Sequence, residues 1–297
     1  MIPAFVNPLA GNAGAAAAAL RTVGGFDIRE IPPQGLAKHV RDAIADGATR
    51  VLVAGGDGTI GSAANALAGT AVELAILPCG TLNHLAKDVG LPLDLEEAAR
   101  VALAGRAVAV DSAVVNDRIF LNTSSVGAYV SFVRARERLE HRLGYGIASL
   151  VAGARLLFRM PTFRISLSVE GRVREYVTPL VFIGVGEREL RLPTLGARVA
   201  NGRRGLHVMV IRERSGGRTL AMGMAAAAKG VKAVARTPAL DAFIVESCTI
   251  QPRVPRIAVD GEIVSAKPPL EYRHVDGCLR VIAPIEEAAK AAEQLNE

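Results

Sequence analysis

The sequence has no tryptophan, and aromatic residues fill only 4% of its 297 positions. Proteins that grip single-stranded nucleic acid stack bases on aromatic rings. With so few rings, and no motif interleaving them with basic residues, a nucleic-acid partner is not expected. Cysteine is also scarce: Cys79, Cys248 and Cys278 are odd in number, widely spaced and form no CxxC pair. That usage excludes a disulfide framework and a cysteine-based zinc site, and it suits a reducing compartment. Long apolar runs are missing too. Mean hydropathy is +0.29, yet no uninterrupted run reaches the roughly 18–20 residues of a membrane-spanning helix. No basic residue precedes Arg21, so the N-terminus does not read as a secretory signal. A soluble, cytoplasmic chain is expected.

What is present fits a globular protein. Half the residues are hydrophobic and 22% are charged, which excludes a disordered chain. The length suggests about two domains of roughly 150 residues each. A net charge of +6 and an isoelectric point near 9.5 favour an anionic partner, either a phosphorylated small molecule or a negatively charged membrane surface.

Short apolar runs alternate with helix-like stretches over the first hundred residues. Strands are expected at Ile2–Val6, Phe26–Ile31, Arg50–Ala54 and Val72–Leu77, and helices at Ala13–Val23, Gly35–Asp46, Ile60–Leu67 and Leu82–Val89. Nearly all-apolar strands separated by helices predict a parallel sheet covered on both faces. From about Val108 the pattern changes. Phe163, Ile165, Leu167 and Val169 alternate with Arg164, Ser166 and Ser168, the period of an antiparallel strand with one wet face. Hairpins are expected around Asn116-Asp117, Glu170-Gly171, Gly205–Arg212, Arg256–Val264 and Leu270–Ile282, the last turning at Asp276-Gly277. Helical segments are expected at about Ser131–Phe158 and Thr219–Thr237.

Three small-residue loops fall at the carboxyl ends of predicted parallel strands, the edge where open α/β sheets bind ligands. They are Asn7-Pro8-Leu9-Ala10-Gly11, Gly55-Gly56-Asp57-Gly58-Thr59 and Pro78-Cys79-Gly80-Thr81-Leu82-Asn83. Glycines let the backbone approach a phosphate, and a helix N-terminus offers free N–H groups to it. Thr59 can cap the helix or bond a phosphate. Asp57 would repel phosphate unless it holds a metal, orients a hydroxyl or takes a proton. The same residues also suit an ordinary strand-to-helix turn.

This set of loops resembles the catalytic domain of the diacylglycerol kinase family, in particular the soluble bacterial lipid kinases related to sphingosine and ceramide kinases. The likeness rests on Asn7-Pro8-x-x-Gly11, Gly55-Gly56-Asp57-Gly58-Thr59, Pro78-x-Gly80-Thr81-x-Asn83, Asp111, Asn122 with Gly127, and Asp260-Gly261-Glu262. The resemblance implies an N-terminal α/β nucleotide-binding domain of NAD kinase and phosphofructokinase type, with a parallel sheet, at residues 1–120. A C-terminal β-sandwich-like domain would occupy 121–275, and 276–297 would form a strand and helix returning to the first domain. The active site would lie in the cleft between the domains. ATP would bind at Asn7, Pro8, Gly11, Gly55, Gly56, Asp57, Gly58, Thr59, Ile60, Gly61, Gly80, Thr81 and Asn83. Glu262 would accept the acceptor's proton with Asp260 as its neighbour. Asp57 would also be catalytic and, with Asp111, would complete a carboxylate network around Mg2+. The acceptor would be a diacylglycerol-like or other amphiphilic lipid alcohol, met at the inner face of an anionic membrane by a cytoplasmic, peripheral protein. A homodimer is a further candidate assembly. The alternatives are an NAD kinase-like enzyme with a soluble acceptor, and an inactive lipid- or nucleotide-binding protein.

Physical chemistry agrees with that assignment. Phosphoryl transfer needs in-line positioning and charge neutralisation more than covalent help. Because an alcohol has a very high pKa, a nearby carboxylate helps by accepting its proton. Asp260-Gly261 also has the composition of a plain β-turn. The sequence departs from the family at His84, where Asp is frequent, and at Ile31-Pro32, where a nucleotide-contacting Thr is usual. It also departs at Glu187–Leu192, in place of a glycine-rich stretch, and at Asn201–Val208. There Arg203, Arg204 and His207 replace an acidic segment that holds a structural magnesium in several members. Arginine and histidine cannot serve as hard oxygen ligands, so that metal site is expected to be absent. The basic, apolar stretches Ser131–Met160 and Thr219–Arg236 are candidates for membrane contact or for helices packed on the protein's own core. Cys79 is expected to be a small buried hydrophobe. His39, His141, His207 and His274 lack metal-ligand spacing and read as surface or turn residues.

Overall fold

The computed structural model describes residues 1–127, 162–169, 171–188, 202–212, 240–252 and 256–294, together with a few single residues between them. The expected helical stretches Ser131–Phe158 and Thr219–Thr237, and with them the two candidate membrane segments, fall almost wholly outside the described residues. The chain divides into two compact units, Met1–Ser112 with Val275–Glu297, and Ala113–His274.

In the first unit, strands β1 (Ile2–Val6), β2 (Phe26–Glu30), β3 (Arg50–Gly55) and β4 (Glu73–Pro78) form a parallel sheet in the order β2-β1-β3-β4. A last strand joins beyond β4: the C-terminal part of β16 (Leu270–Ala283), with Arg280 and Val281 beside Glu73 and Leu74. Val51 and Val53 are as fully buried as Leu52 and Ala54, so both faces of β3 are covered, as crossover helices require. One face packs on helix α1 (Ala13–Val23) through Ala16 and Leu20, and on α5 (Leu95–Ala104) through Ala98, Ala99 and Ala102. These alanines let helix and sheet approach closely. Helices α2 (Pro33–Ala45), α3 (Asp57–Leu67), α4 (His84–Asp88) and α6 (Ile285–Gln294) complete the unit.

Helix α5 lies outside the helices expected from the sequence, although its start is encoded. Asp94 caps it by accepting the Glu97 N–H at 2.9 Å, and Asp-x-x-Glu is the composition of a capping box. Its C-terminal carbonyls at Ala102 and Leu103 are taken by the Arg50 guanidinium at 2.7 and 3.0 Å.

The second unit is built from antiparallel strands. One sheet has the order β12 (Leu240–Val245), β11 (Leu206–Ile211), β10 (Leu180–Val185), β7 (Thr123–Gly127), β14 (Arg256–Val259), β15 (Glu262–Ser265). The other pairs the N-terminal part of β16 with β13 (Ser247–Pro252), then β8 (Phe163–Val169), then β9 (Arg172–Thr178). A hairpin of β5 (Arg106–Val115) and β6 (Arg118–Phe120) turns at Asn116, whose φ is +52°. Both sheets feed one core that includes Phe120, Val126, Leu167, Ile183, Val208 and Tyr272. Within it the Tyr272 ring meets Phe120 edge-on, and its hydroxyl bonds Ser124 at 3.0 Å. This is the β-sandwich the resemblance implied.

Two expected hairpins are single strands. Gly205–Arg212 holds β11 alone, paired on both sides with β10 and β12. Leu206, Val208 and Val210 are buried, and so are His207 and Met209 between them, the pattern of a strand covered on both faces. Leu270–Ile282 does not turn at Asp276-Gly277. It runs on as the 14-residue β16, Gly277 takes φ +51°, and its N–H is accepted by Asp111 Oδ1 at 2.9 Å. The glycine is used for a local bend inside a strand that belongs by its two halves to the two units. The units accordingly divide at 112/113 and 274/275, where the sequence places the boundaries near 120 and 275. Among the described residues, no helix is long and apolar enough to cross a membrane.

Removing the α5 cap with Asp94→Ala should cost about 1 kcal/mol. Urea unfolding should show a lower midpoint with an unchanged slope.

Candidate functional site

The three glycine-containing loops follow β1, β3 and β4, which are adjacent and parallel. They therefore emerge on one sheet edge. Asn7 ties the first loop to the second. Its N–H reaches the Ala54 carbonyl at 3.0 Å, its Oδ1 accepts the Leu9 N–H at 2.9 Å, and its Nδ2 donates to Thr59 Oγ1 at 2.9 Å. Thr59, expected as a cap or phosphate ligand, is buried and serves as this anchor. The cap position of α3 is Gly56, which has no side chain to offer. The first intrahelical bond runs from Ile60 N to Gly56 O, so the N–H groups of Asp57, Gly58 and Thr59 precede it and have no partner within the helix.

The second and third loops meet backbone to backbone. A Cβ on Gly80 would lie 2.6 Å from Gly56 Cα and 2.9 Å from Asn83 Oδ1, and a Cβ on Gly55 would lie 2.5 Å from Thr59 Cβ. Asn83 adopts φ +50° and closes the third loop, accepting the Gly80 N–H at 2.9 Å and donating to the Gly80 carbonyl at 2.8 Å. Asp57 Oδ1 accepts the backbone N–H of His84 at 2.8 Å, joining the starts of α3 and α4. The structure thus brings Asn7, Gly55, Gly56, Asp57, Thr59, Gly80 and Asn83 into one bonded cluster. Pro8, Gly11 and Thr81 are exposed beside it, and Gly58 and Gly61 are half-buried. A Cβ on Gly11 would meet no protein atom within 4 Å. The Ile60 side chain is in the core, so only its backbone remains for a ligand. Asp111 is buried and held by the Gly277 N–H.

In the second unit, Asp260 and Gly261 form the two-residue turn between β14 and β15, both with positive φ (+46° and +87°). Asp-Gly is the pair that such a turn favours. The turn is more than a reversal, because the Asp260 carboxylate accepts three successive N–H groups: Leu121 on Oδ2, and Asn122 and Thr123 on Oδ1, each at 2.9 Å. Burial pushes its pKa up, while these amides and the Arg188 charge pull it down. Asp260 is therefore committed to holding the turn. Glu262, next on the chain, is exposed and pairs with Arg118 at 3.3 Å. Sequence reasoning misses Arg118 and Arg188, since an isolated arginine carries no local signal.

Comparison with known proteins shows what the first unit is similar to. Residues 2–115 match the diacylglycerol kinase catalytic domain. The chain is 36% identical over 157 residues to a "Probable lipid kinase YegS-like" of Cronobacter sakazakii, which is 50% of this chain and 51% of that protein. It is 33% identical over 154 residues to a relative of the same description in Klebsiella pneumoniae, half of each chain. The chain thus spans about half the length of the curated relatives it matches. Among solved structures, a diacylglycerol kinase of Bacillus anthracis aligns over 95% of this chain and 96% of its own, with a TM-score of 0.69 and 21% identity. A second Bacillus anthracis chain aligns over the same shares with a TM-score of 0.74 and 23% identity. At such identities the likeness is one of fold.

The departures from the diacylglycerol kinase pattern have a structural explanation at two places. At position 84 the bond to Asp57 uses the backbone N–H, which His supplies as well as Asp. Near Asn201–Val208, His207 is buried, contrary to its reading as a surface residue, and its Nδ1 accepts the Arg188 N–H at 3.0 Å. Burial lowers its pKa, which suits a neutral acceptor. His274 is buried as well, because it lies within β16, where its N–H donates to the Glu246 carbonyl at 2.9 Å. Cys79 is buried, as expected, and burial pushes its thiol up to about 11; Cys248 goes to about 12.

Two expectations follow. Gly80→Ala must displace backbone and should cost roughly 1–3 kcal/mol, read as a lower thermal midpoint. Gly11→Ala, with open space around it, should leave the midpoint unchanged. In addition, Cys79 and Cys248 should stay unlabelled by iodoacetamide at pH 7 in the folded protein, because both are buried thiols rather than thiolates; mass spectrometry reads the result.

Proposed function

We propose that this protein is an ATP-dependent lipid kinase that transfers the γ-phosphoryl group to the hydroxyl of a diacylglycerol-like alcohol. The observation that carries the reading is the fused loop cluster on one sheet edge, where the α3 start presents N–H groups beside a glycine-only contact. Those groups suit phosphate oxygens, and the contact between Gly56 and Gly80 brings the backbones of the two loops together beside them. The family match over residues 2–115 and the lipid kinase relatives support the same class.

In this reading the backbone of Gly56–Thr59 and the exposed Gly11 and Thr81 hold the phosphates. Bound Mg2+ supplies charge neutralisation on them, and Asp57 and Asp111 are the oxygen donors we assign to it, since carboxylates suit that hard cation. Asp57 offers Oδ2 for this purpose, with Oδ1 committed to His84. Glu262 takes the proton of the acceptor hydroxyl as the new P–O bond forms and the bond to the leaving ADP oxygen breaks. Asp260 fixes the turn that carries Glu262, and Arg118 orients its carboxylate. The substrate is met at an anionic membrane surface by a peripheral, cytoplasmic enzyme, consistent with the net charge of +6.

The test is transfer of label from γ-32P-labelled ATP, with Mg2+, into vesicles containing diacylglycerol, followed by lipid extraction. A labelled phospholipid is expected. Glu262→Gln should lower kcat by about 10²-fold or more while ATP affinity stays within twofold. Undiminished turnover in Glu262→Gln overturns its role, and label found only in soluble products redirects the acceptor to a small molecule.

A further inference from the structure

Arg188 is the most deeply buried cation among the described residues, with 1% of its surface exposed. A guanidinium cannot shed its charge, so burying it is costly unless it is bonded and faces a counter-charge. Two of its bonds fix its direction. Nε donates to the Val185 carbonyl at 2.9 Å, and Nη2 to the Leu121 carbonyl at 3.3 Å. The backbone N–H of Arg188 is itself fixed by His207 Nδ1. Space for its stem exists only because residue 184 is glycine: a Cβ there would lie 2.5 Å from Arg188 Cγ.

Leu121 is the link. Its carbonyl accepts from Arg188, and its N–H, with those of Asn122 and Thr123, is accepted by Asp260. The segment between β6 and β7 is therefore clamped by a buried cation through its carbonyl and a carboxylate through its amides. Further along the same turn stands Glu262. We infer that Arg188 is a positioning residue: a built-in cation that balances the Asp260 carboxylate and so holds the Asp260-Gly261 turn, with Glu262 on it, in place. This deepens the proposed function and rests on it for the role of Glu262, while the Arg188–Asp260 coupling rests on their shared bonds to Leu121. It also gives the segment around Asn201–Val208 a purpose without metal ligands, because His207 seats the arginine.

The charged and titratable groups around the clamp are few among the described residues. Asp260 feels the Arg188 charge, and its turn carries the Glu262–Arg118 pair. His207 on β11 bonds the Arg188 N–H and feels the charges of Glu187, Arg203 and Arg188. Of these, Asp260 is the carboxylate that bonds the Leu121–Thr123 amides, so the coupling should follow its ionisation. An arginine favours ionised Asp260 and lowers its pKa; replacing it raises that pKa. The attraction exists only while Asp260 is ionised, so it is fully present above that pKa and lost as pH falls through it.

The experiment is a double-mutant cycle on the full chain, with thermal midpoints of wild type, Arg188→Met, Asp260→Asn and the double variant taken from pH 8 down to pH 4. The Arg188→Met drop should be large at pH 8, shrink towards pH 4, and be smaller and pH-independent in the Asp260→Asn background. Arg188→Lys keeps the charge and should restore most of the midpoint and its pH trend; Arg188→Gln, which also removes the charge, serves in place of Arg188→Met if the latter does not fold. Equal drops in both backgrounds at every pH would overturn the inference, leaving Arg188 as a packing residue. Turnover separates the two claims. Arg188→Met should lose more than tenfold in kcat with unchanged ATP affinity, and Arg188→Lys should recover it. If wild type phosphorylates no lipid, the proposed function fails while the cycle still decides the role of Arg188.

Discussion

The contact of Gly56 with Gly80 is the constraint on which the candidate nucleotide site depends. Two loops from neighbouring strands touch through bare backbone, with only 2.6 Å between Gly56 Cα and the place a Cβ on Gly80 would occupy. Any side chain there would separate the starts of α3 and α4. The surrounding bonds all preserve that closeness: Asn83 closes its own loop onto Gly80, Asp57 receives the His84 N–H, and Asn7 fastens Thr59. Side chains rich in hydrogen-bonding atoms hold the backbone, and backbone N–H groups are what remain at the edge for a ligand.

The second unit divides its labour in the same way with a different chemistry. A carboxylate at Asp260 gathers three amides and a guanidinium at Arg188 takes the opposing carbonyl. A tight turn is thus fixed by charge-assisted bonds, which are stronger than neutral ones. Glu262 on that turn remains exposed. Each unit therefore commits polar side chains to holding its own backbone. The motif carboxylates Asp57 and Asp260 belong, at least through the atoms that bond backbone, to the scaffold.

Much of this is legible in the sequence. Nearly continuous apolar strands alternating with helices point to the parallel sheet, and the strand-end loops fall at adjacent strands as the topology of such sheets demands. The Asp260-Gly261 turn is legible as well, from composition alone. Other features are not, for physical reasons. Asp276-Gly277 has the same composition, yet its glycine bends a continuous strand, because the Asp111 carboxylate and the partner strands on either half of β16 decide the outcome. Helix α5 escapes the apolar periodicity, its buried face being three alanines, although Asp94 and Glu97 mark its start. Burial of Arg188 and of His207 depends on contacts between residues 19 to 67 positions apart, which no local pattern records.

If the α3 start and its glycine contact bind the phosphates of ATP, the amides themselves will report it. The most direct measurement is hydrogen–deuterium exchange of the free and ATP-bound protein. Exchange should slow at residues 57–59 and in the loop 79–83 when ATP is added, with the second-unit amides of 121–123 unchanged because Asp260 already holds them. ATP binding that leaves 57–59 exchanging as before, and protects another part of the chain, would contradict that placement of the phosphates.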